Sequence, residues 1–366
     1  MAADPDPPDD ADRDIAPAGN PAPRPGPADP AVVGPSQARP DAVPFSRWLS
    51  PLVRLMRSKA VRFGFLAIVL ALLGVALTDQ AGTLWDQVSR LSVPVVLLAF
   101  LLCLCGLFGS LMVWREILAD LGSRLSIPEA ARIMFIGQLG KYVPGSIWPV
   151  LAQSELGADC GIPRSRSAVS VLVSYAVMST SGIVVAIVTL PFATAASIAQ
   201  YFWILFLLPV AAVLLSPPVL NRLLRLVLRV SRQPVMEQTV SYRGLARTMA
   251  WALFGWSANG LMVYVLMRQL AGHPQGLLLV SVGAYSLSWS VGFLAVFAPA
   301  GAGVREAVMV AILSTRTTIH TAPLTVALLC RALSVVADAV AGAAAAALVG
   351  RRRLRRLRAE RSLTRP

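Results

Sequence analysis

The sequence predicts an all-α fold: a polytopic membrane helix bundle with six full spans and two re-entrant hairpins built from broken helices. Charged residues make up 14% of the chain and the mean hydropathy is +0.65, whereas soluble domains carry about 25% charged residues. Several apolar runs approach the ~20 residues that cross a bilayer as a helix. Two further apolar stretches are interrupted by proline and glycine, at Val143-Pro144-Gly145 and between Ala298 and Gly303.

The composition divides the chain into three regions. Residues 1–45 are dominated by Pro, Ala, Asp and Gly, and such a segment cannot bury enough apolar surface to fold, so it is predicted to be a disordered cytoplasmic tail. Residues 46–350 form the predicted transmembrane domain. Residues 351–366 form a basic, arginine-rich cytoplasmic tail.

The charge pattern predicts the topology of this domain. The predicted spans are Val61–Thr78, Val93–Trp114, Ala168–Pro191, Tyr201–Leu215, Met249–Leu266 and Ala322–Leu348. Basic segments lie before the first span, at 218–247 and after residue 350, and an excess of arginine in short loops marks the cytoplasmic side. Both termini are then cytoplasmic, in a bacterial plasma membrane. The net charge of +14 is read as this topology signal, and no nucleic acid partner is predicted.

Between two cytoplasmic segments the chain must cross the membrane an even number of times, and the predicted spans alone already give even numbers. The two interrupted stretches, 127–156 and 277–314, must therefore each return to the side from which they enter. They occupy matching places in the two halves of the chain, which suggests an inverted repeat. Interrupted helices at corresponding positions mark the binding site of many transporters. A restarting helix directs free N–H groups and a positive dipole end inward, which suits an anion. The alternative is a pair of ordinary loops at the membrane edge.

Ionisable residues flank both interruptions and occur in the last span. Such residues are costly in a membrane and usually face the bundle interior in pairs. We expect the cations to line a polar cavity for an anionic headgroup, with the carboxylates balancing them; the alternative is that these ions only hold the helices in register. The candidate binding residues are Lys141, Arg305, Glu306, Arg331, Asp338, Glu155, Gln138, Pro144, Gly145, Pro299, Gly301 and Gly303.

Within this set, Arg331 and Asp338 are predicted to be the strongest pair, because they lie seven residues apart on one face of the last span. The sequence contains no glycine-rich phosphate loop, no metal-ligand cluster and no nucleophile motif with a partner base. It therefore predicts neither an enzyme nor a cofactor.

The segments Gly137–Trp148 and Pro299–Glu306 resemble the lysylphosphatidylglycerol synthase transmembrane region, also called the flippase-like domain family. The second segment is similar to that family's Pro-Gly-Gly-x-Gly-x-Arg-Glu signature, with Ala300 where a glycine is usual. The resemblance covers roughly residues 60–350. It implies a lipid flippase, although the lipid itself does not carry over from the family. Together with the flanking cations, this makes an anionic phospholipid or a polyprenyl-linked headgroup the expected partner.

In bifunctional members of that family a soluble synthase domain follows the membrane region. Because this sequence stops at Pro366, a stand-alone member without synthase activity is expected. Other stand-alone members resemble partners of glycosyltransferase systems. The alternative function is therefore a non-transporting scaffold for a membrane glycosyltransferase or another cell-envelope enzyme.

Overall fold

The computed structural model describes residues 81–142, 148–193, 202–230, 239–295, 301–319 and 321–363. The chain divides into two units, residues 1–43 and residues 44–366, and every described residue belongs to the second unit. The predicted tail at 1–45, the basic segment after it and the predicted span Val61–Thr78 lie outside the described residues.

The described residues are helical throughout, apart from short turns and loops, and contain no strand. Short 3-10 helices lie at Leu139–Tyr142, Pro191–Ala193, Phe202–Leu207 and Ser314–Arg316. The α-helices are α1 Ala81–Ser89, α2 Val93–Asp120, α3 Ile127–Gln138, α4 Trp148–Ala158, α5 Arg164–Thr189, α6 Leu208–Leu215, α7 Pro217–Val230, α8 Tyr242–Ala271, α9 Leu277–Leu294, α10 Val304–Leu313 and α11 Thr321–Leu363.

Five of the described helices are long and apolar enough to cross a membrane: α2, α5, α8, α9 and the part of α11 up to Ala347. A bent pair, Ile204–Leu215 with Pro217–Leu226, adds a sixth if it counts as one span. Four predicted spans correspond to α2, α5, α8 and α11. Helix α9 was expected to be one arm of a hairpin, yet its 18 residues reach the length of a span.

The predicted span Tyr201–Leu215 is not one continuous α-helix. Its described part is a 3-10 helix up to Leu207 followed by the short helix α6. Pro209 lies in the first turn of α6, where its missing N–H group is tolerated. The same missing donor prevents a continuous α-helix from running through this position.

Helix α2 continues past the predicted end at Trp114 because the charged residues that follow find partners. Arg115 Nε donates a hydrogen bond of 2.9 Å to the carbonyl of Leu125. Glu116 forms an ion pair with Arg247 at 3.4 Å. These contacts stabilise the charged side chains of Arg115 and Glu116, so α2 does not end where they begin.

Helices α2 and α8 pack antiparallel at the centre of the bundle. A Cβ atom built on Gly109 would lie 2.9 Å from the Cα of Gly255, and such close backbone approach is typical of small residues between membrane helices. At one end, called the Asp120 end, the Asp120 carboxylate accepts a hydrogen bond of 3.0 Å from the Ser241 hydroxyl. At the opposite end, called the Arg90 end, Gln269 Nε2 donates to the carbonyl of Arg90 at 3.0 Å.

The two interrupted stretches form helical hairpins, in which α3 packs on α4 and α9 packs on α10. The α3–α4 hairpin begins and ends at the Asp120 end, where Arg166 at the start of α5 donates to Ser123 just before α3. The α9–α10 hairpin begins and ends at the Arg90 end, where Gln87 donates to Thr321 at the start of α11. The hairpins therefore enter the bundle from opposite ends.

Candidate functional site

A cavity of about 90 Å³ lies between the two hairpins and the long helices. Polar groups from many elements line it: amides from α3, α4 and α8, a tyrosine from α9, and three ions. These residues are Gln138, Gln153, Asn259, Tyr285, Lys141, Arg305 and Asp338.

One carboxylate in the cavity is held by both residues that precede the first break. Lys141 Nζ lies 2.6 Å from Asp338 Oδ2, and the Tyr142 hydroxyl donates a hydrogen bond to the same oxygen. Asp338 is only 6% exposed. A buried carboxylate requires such partners, so this contact fixes the end of the first hairpin's inward arm against α11.

Arg305 differs from Lys141 because, in the part of the chain that the structure describes, it forms no ion pair with a carboxylate. Its guanidinium carbon lies 5.2 Å from the ring centroid of Trp289, a cation–π arrangement. Trp289 is itself stacked on Phe293, with centroids 5.6 Å apart and planes 6° apart. The aromatic face therefore orients Arg305 while leaving its N–H donors available to the cavity.

Two glycines make room for the Arg305 stem. A Cβ atom on Gly292 would collide with Cγ of Arg305, and one on Gly301 would lie 3.1 Å from Cδ. Gly301 also has a φ of +70°, a conformation that glycine adopts without the steric cost of a side chain. The glycines around the second break thus position Arg305 as well as turning the chain.

The remaining pair lines a smaller cavity of about 30 Å³ that shares Arg305 and Trp289 with the larger one. Arg331 Nε lies 3.8 Å from Oε1 of Glu306. The other Glu306 oxygen accepts a hydrogen bond of 2.7 Å from the backbone N–H of Gly303. Glu306 therefore caps the start of α10 and occupies one of the N–H groups that the sequence predicted to be free for an anion.

The structure brings Lys141, Asp338, Gln138 and Arg305 together in the larger cavity, and places Glu306 and Arg331 beside it. Gly301 is buried at the second break and Gly303 is exposed at the start of α10. The other predicted break residues, Pro144, Gly145 and Pro299, lie outside the described residues.

Two expectations about pairing are corrected. Glu155 does not reach the cavity: its side chain is 65% exposed and pairs with Arg164 at 2.8 Å, because it projects from α4 towards the start of α5. Arg331 and Asp338 share a helix face but do not pair with each other. Each instead contacts a hairpin, Arg331 through Glu306 and Asp338 through Lys141.

Sequence reasoning did not place Trp289, Asn259 or Tyr285 in the site. Tyr285, Trp289 and Gly292 follow the i, i+4, i+7 spacing of one helix face, which was the available signal. Gln138 Oε1 is buried and has no hydrogen-bond partner among the described residues, so it remains free to accept a donor from a ligand.

These features define a helical, multi-pass membrane protein with a charged cavity between two broken helices. The pattern of the family described as the lysylphosphatidylglycerol synthase TM region matches residues 62–355, and the chain belongs to this family. The resemblance of the two break motifs is thereby confirmed. No curated protein matches the chain.

Proposed function

We propose that this protein translocates a lipid with an anionic or lipid-linked headgroup across the plasma membrane, and that the headgroup passes through the larger cavity. The observation that carries the proposal is Arg305, an ion inside the bundle without a carboxylate partner among the described residues. An unpaired charge inside a membrane is costly and is usually retained for function. A guanidinium matches the geometry of a phosphate group by two parallel hydrogen bonds.

The position of the cavity supports passage from one leaflet to the other. Its lining comes from both hairpins, through Lys141 and Arg305, and the hairpins enter from opposite ends of the bundle. A headgroup bound to Arg305 would therefore contact elements that enter the bundle from opposite ends. Gln138, with its free acceptor, is placed to accept a hydrogen bond from a headgroup hydroxyl.

The test is a lipid-scrambling assay with purified protein in liposomes. Phosphatidylglycerol with a fluorescent label on one acyl chain is distributed over both leaflets, and a membrane-impermeant quencher is added outside. We expect the quenched fraction to rise above that of protein-free liposomes, because inner-leaflet lipid reaches the outer surface. A matched control is Arg164→Gln, which removes an exposed cation outside the cavity and should transport normally.

The opposite outcome is a quenched fraction equal to that of protein-free liposomes, for phosphatidylglycerol and for a labelled polyprenyl phosphate. Together with recovery of a glycosyltransferase during purification, this result would favour the scaffold role over translocation.

We further propose six full spans, with the two hairpins related as an inverted repeat and both termini in the cytoplasm. This arrangement places Cys160, between α4 and α5, on the cytoplasmic side and Gln275, between α8 and α9, on the outer side. The test uses two variants with one cysteine each: one keeps only Cys160, and the other has only the cysteine introduced by Gln275→Cys. An impermeant thiol reagent added to intact cells should label only the variant with the cysteine at position 275. Permeabilised cells give the total labelling, and labelling of both positions from the same side would exclude the arrangement.

A further inference from the structure

We propose that Asp338 sets the charge of the cavity so that it accepts a singly charged phosphodiester headgroup and disfavours a doubly charged phosphomonoester. This inference rests on the proposed function and narrows its substrate class. It assigns to Asp338 the role of a specificity-determining residue that acts through Lys141.

The argument begins with the charges that line the two adjoining cavities. Lys141 is neutralised by Asp338 and Arg331 is paired with Glu306, so the positive charge of Arg305 remains. The sequence of the two breaks, residues 143–147 and 296–300, contains no ionisable side chain. The breaks therefore do not change this balance.

Lys141 is not available as a second phosphate ligand while Asp338 is ionised. Its ammonium lies 2.6 Å from the carboxylate, and that carboxylate is also fixed by the Tyr142 hydroxyl. Asp338 is nearly inaccessible to solvent, so releasing Lys141 would leave a buried carboxylate without its cation. Breaking a buried pair in this way is strongly unfavourable.

The number of charges on the headgroup then decides how well it fits. A phosphodiester carries one negative charge, which Arg305 compensates. A phosphomonoester carries a charge of about −1.5 to −2 at neutral pH, so up to one negative charge would remain uncompensated near the Asp338 carboxylate. Beside a carboxylate that is nearly inaccessible to solvent an uncompensated charge is costly, and the diester is the favoured ligand.

The experiment is a binding competition followed by native mass spectrometry in a non-ionic detergent. Full-length protein is mixed with equal amounts of phosphatidylglycerol, a diester, and phosphatidic acid, a monoester, with different but closely similar acyl chains. The pH is set to ~8.5, well above the second pKa of ~6 of a phosphomonoester. We expect wild-type protein to prefer phosphatidylglycerol by about tenfold, which corresponds to ~1.4 kcal/mol.

Asp338→Asn should remove this preference or reverse it, because Lys141 becomes a second free cation. The double variant Lys141→Met/Asp338→Asn provides the matched control, since it removes both charges of the pair and restores a single net positive charge. It should regain the preference for phosphatidylglycerol. If Asp338→Asn does not fold, Glu306→Gln tests the same balance, because it removes the carboxylate beside Arg331 and should also favour the monoester.

The outcomes separate this inference from the proposed function. Binding of both lipids in a ratio that Asp338→Asn and Glu306→Gln leave unchanged would overturn the charge selection only. A double variant that keeps the altered ratio of Asp338→Asn would also overturn it, because the effect would then be structural. Binding of neither lipid, or binding that Arg305→Gln does not weaken, would overturn the proposed function itself.

Discussion

Replacing Arg305 with glutamine is expected to slow the transport of phosphatidylglycerol by roughly ten- to a hundredfold, towards the rate of protein-free liposomes. The reason is that glutamine keeps hydrogen-bonding capacity but removes the cation that the cavity offers to a phosphate. Hydrogen bonds to charged groups contribute about 1.5–3 kcal/mol, and each ~1.4 kcal/mol changes an equilibrium tenfold. The measurement is the liposome scrambling rate at matched amounts of folded protein.

A second substitution at the same position separates charge from geometry. Arg305→Lys keeps the positive charge but loses the planar group that lies over Trp289 and the paired donors for phosphate, so an intermediate rate is expected. Arg164→Gln serves as the surface control. Transport at the wild-type rate by Arg305→Gln, with normal protein abundance, would contradict the assignment of Arg305 to the headgroup site.

Replacing Lys141 with methionine is expected to destabilise the protein by about 2–4 kcal/mol, near the 3–5 kcal/mol typical of a fully buried ion pair that loses one partner. Asp338 would keep the Tyr142 hydroxyl but lose its cation in a nearly inaccessible position. The value lies below the fully buried case because the Lys141 side chain is 26% exposed. The measurement is the midpoint of thermal unfolding of the detergent-solubilised protein, followed by tryptophan fluorescence.

The double variant Lys141→Met/Asp338→Asn should recover most of the lost stability, because no buried carboxylate then lacks its partner. The exposed pair provides the comparison: Arg164→Gln removes the cation beside Glu155 and should leave the midpoint essentially unchanged, since surface ion pairs contribute little. Equal midpoints for wild-type protein and Lys141→Met would show that the contact with Asp338 does not stabilise the bundle.

Much of the fold was predictable because membrane helices are selected by length and hydropathy, properties that are local in sequence. Helices α2, α5, α8 and α11 all correspond to predicted spans. Their ends were less predictable: α2 extends beyond Trp114, where Arg115 contacts Leu125 in the loop that follows and Glu116 contacts Arg247, which is distant in the chain. Helix α9 was assigned to a hairpin from the distribution of basic residues among the loops. This distribution indicates on which side of the membrane a loop lies, but it does not determine the length of a hairpin helix.

The candidate site was predictable in composition but not in pairing. Glycine, proline and flanking ions are visible in the sequence, and three of the ions singled out from it, Lys141, Arg305 and Asp338, line one cavity in the structure. Which ion contacts which depends on the rotation of α11 and on the depth of each hairpin, and neither is encoded by local spacing. For the same reason Glu155, at a position resembling that of Glu306, projects to the surface.

The attachment of both hairpins to α11 has a consequence for how the sequence can vary. Arg331 and Asp338 contact different hairpins from one unbroken helix, two turns apart. Inserting or deleting one residue between them would turn one contact by ~100° relative to the other, so one hairpin would lose its partner. An exchange of cation and carboxylate within either pair would lose a further contact, because Glu306 also accepts from the Gly303 N–H and Asp338 from the Tyr142 hydroxyl. Evolutionary drift in this stretch should therefore keep its length and the charges of these two residues, and vary the side chains between them.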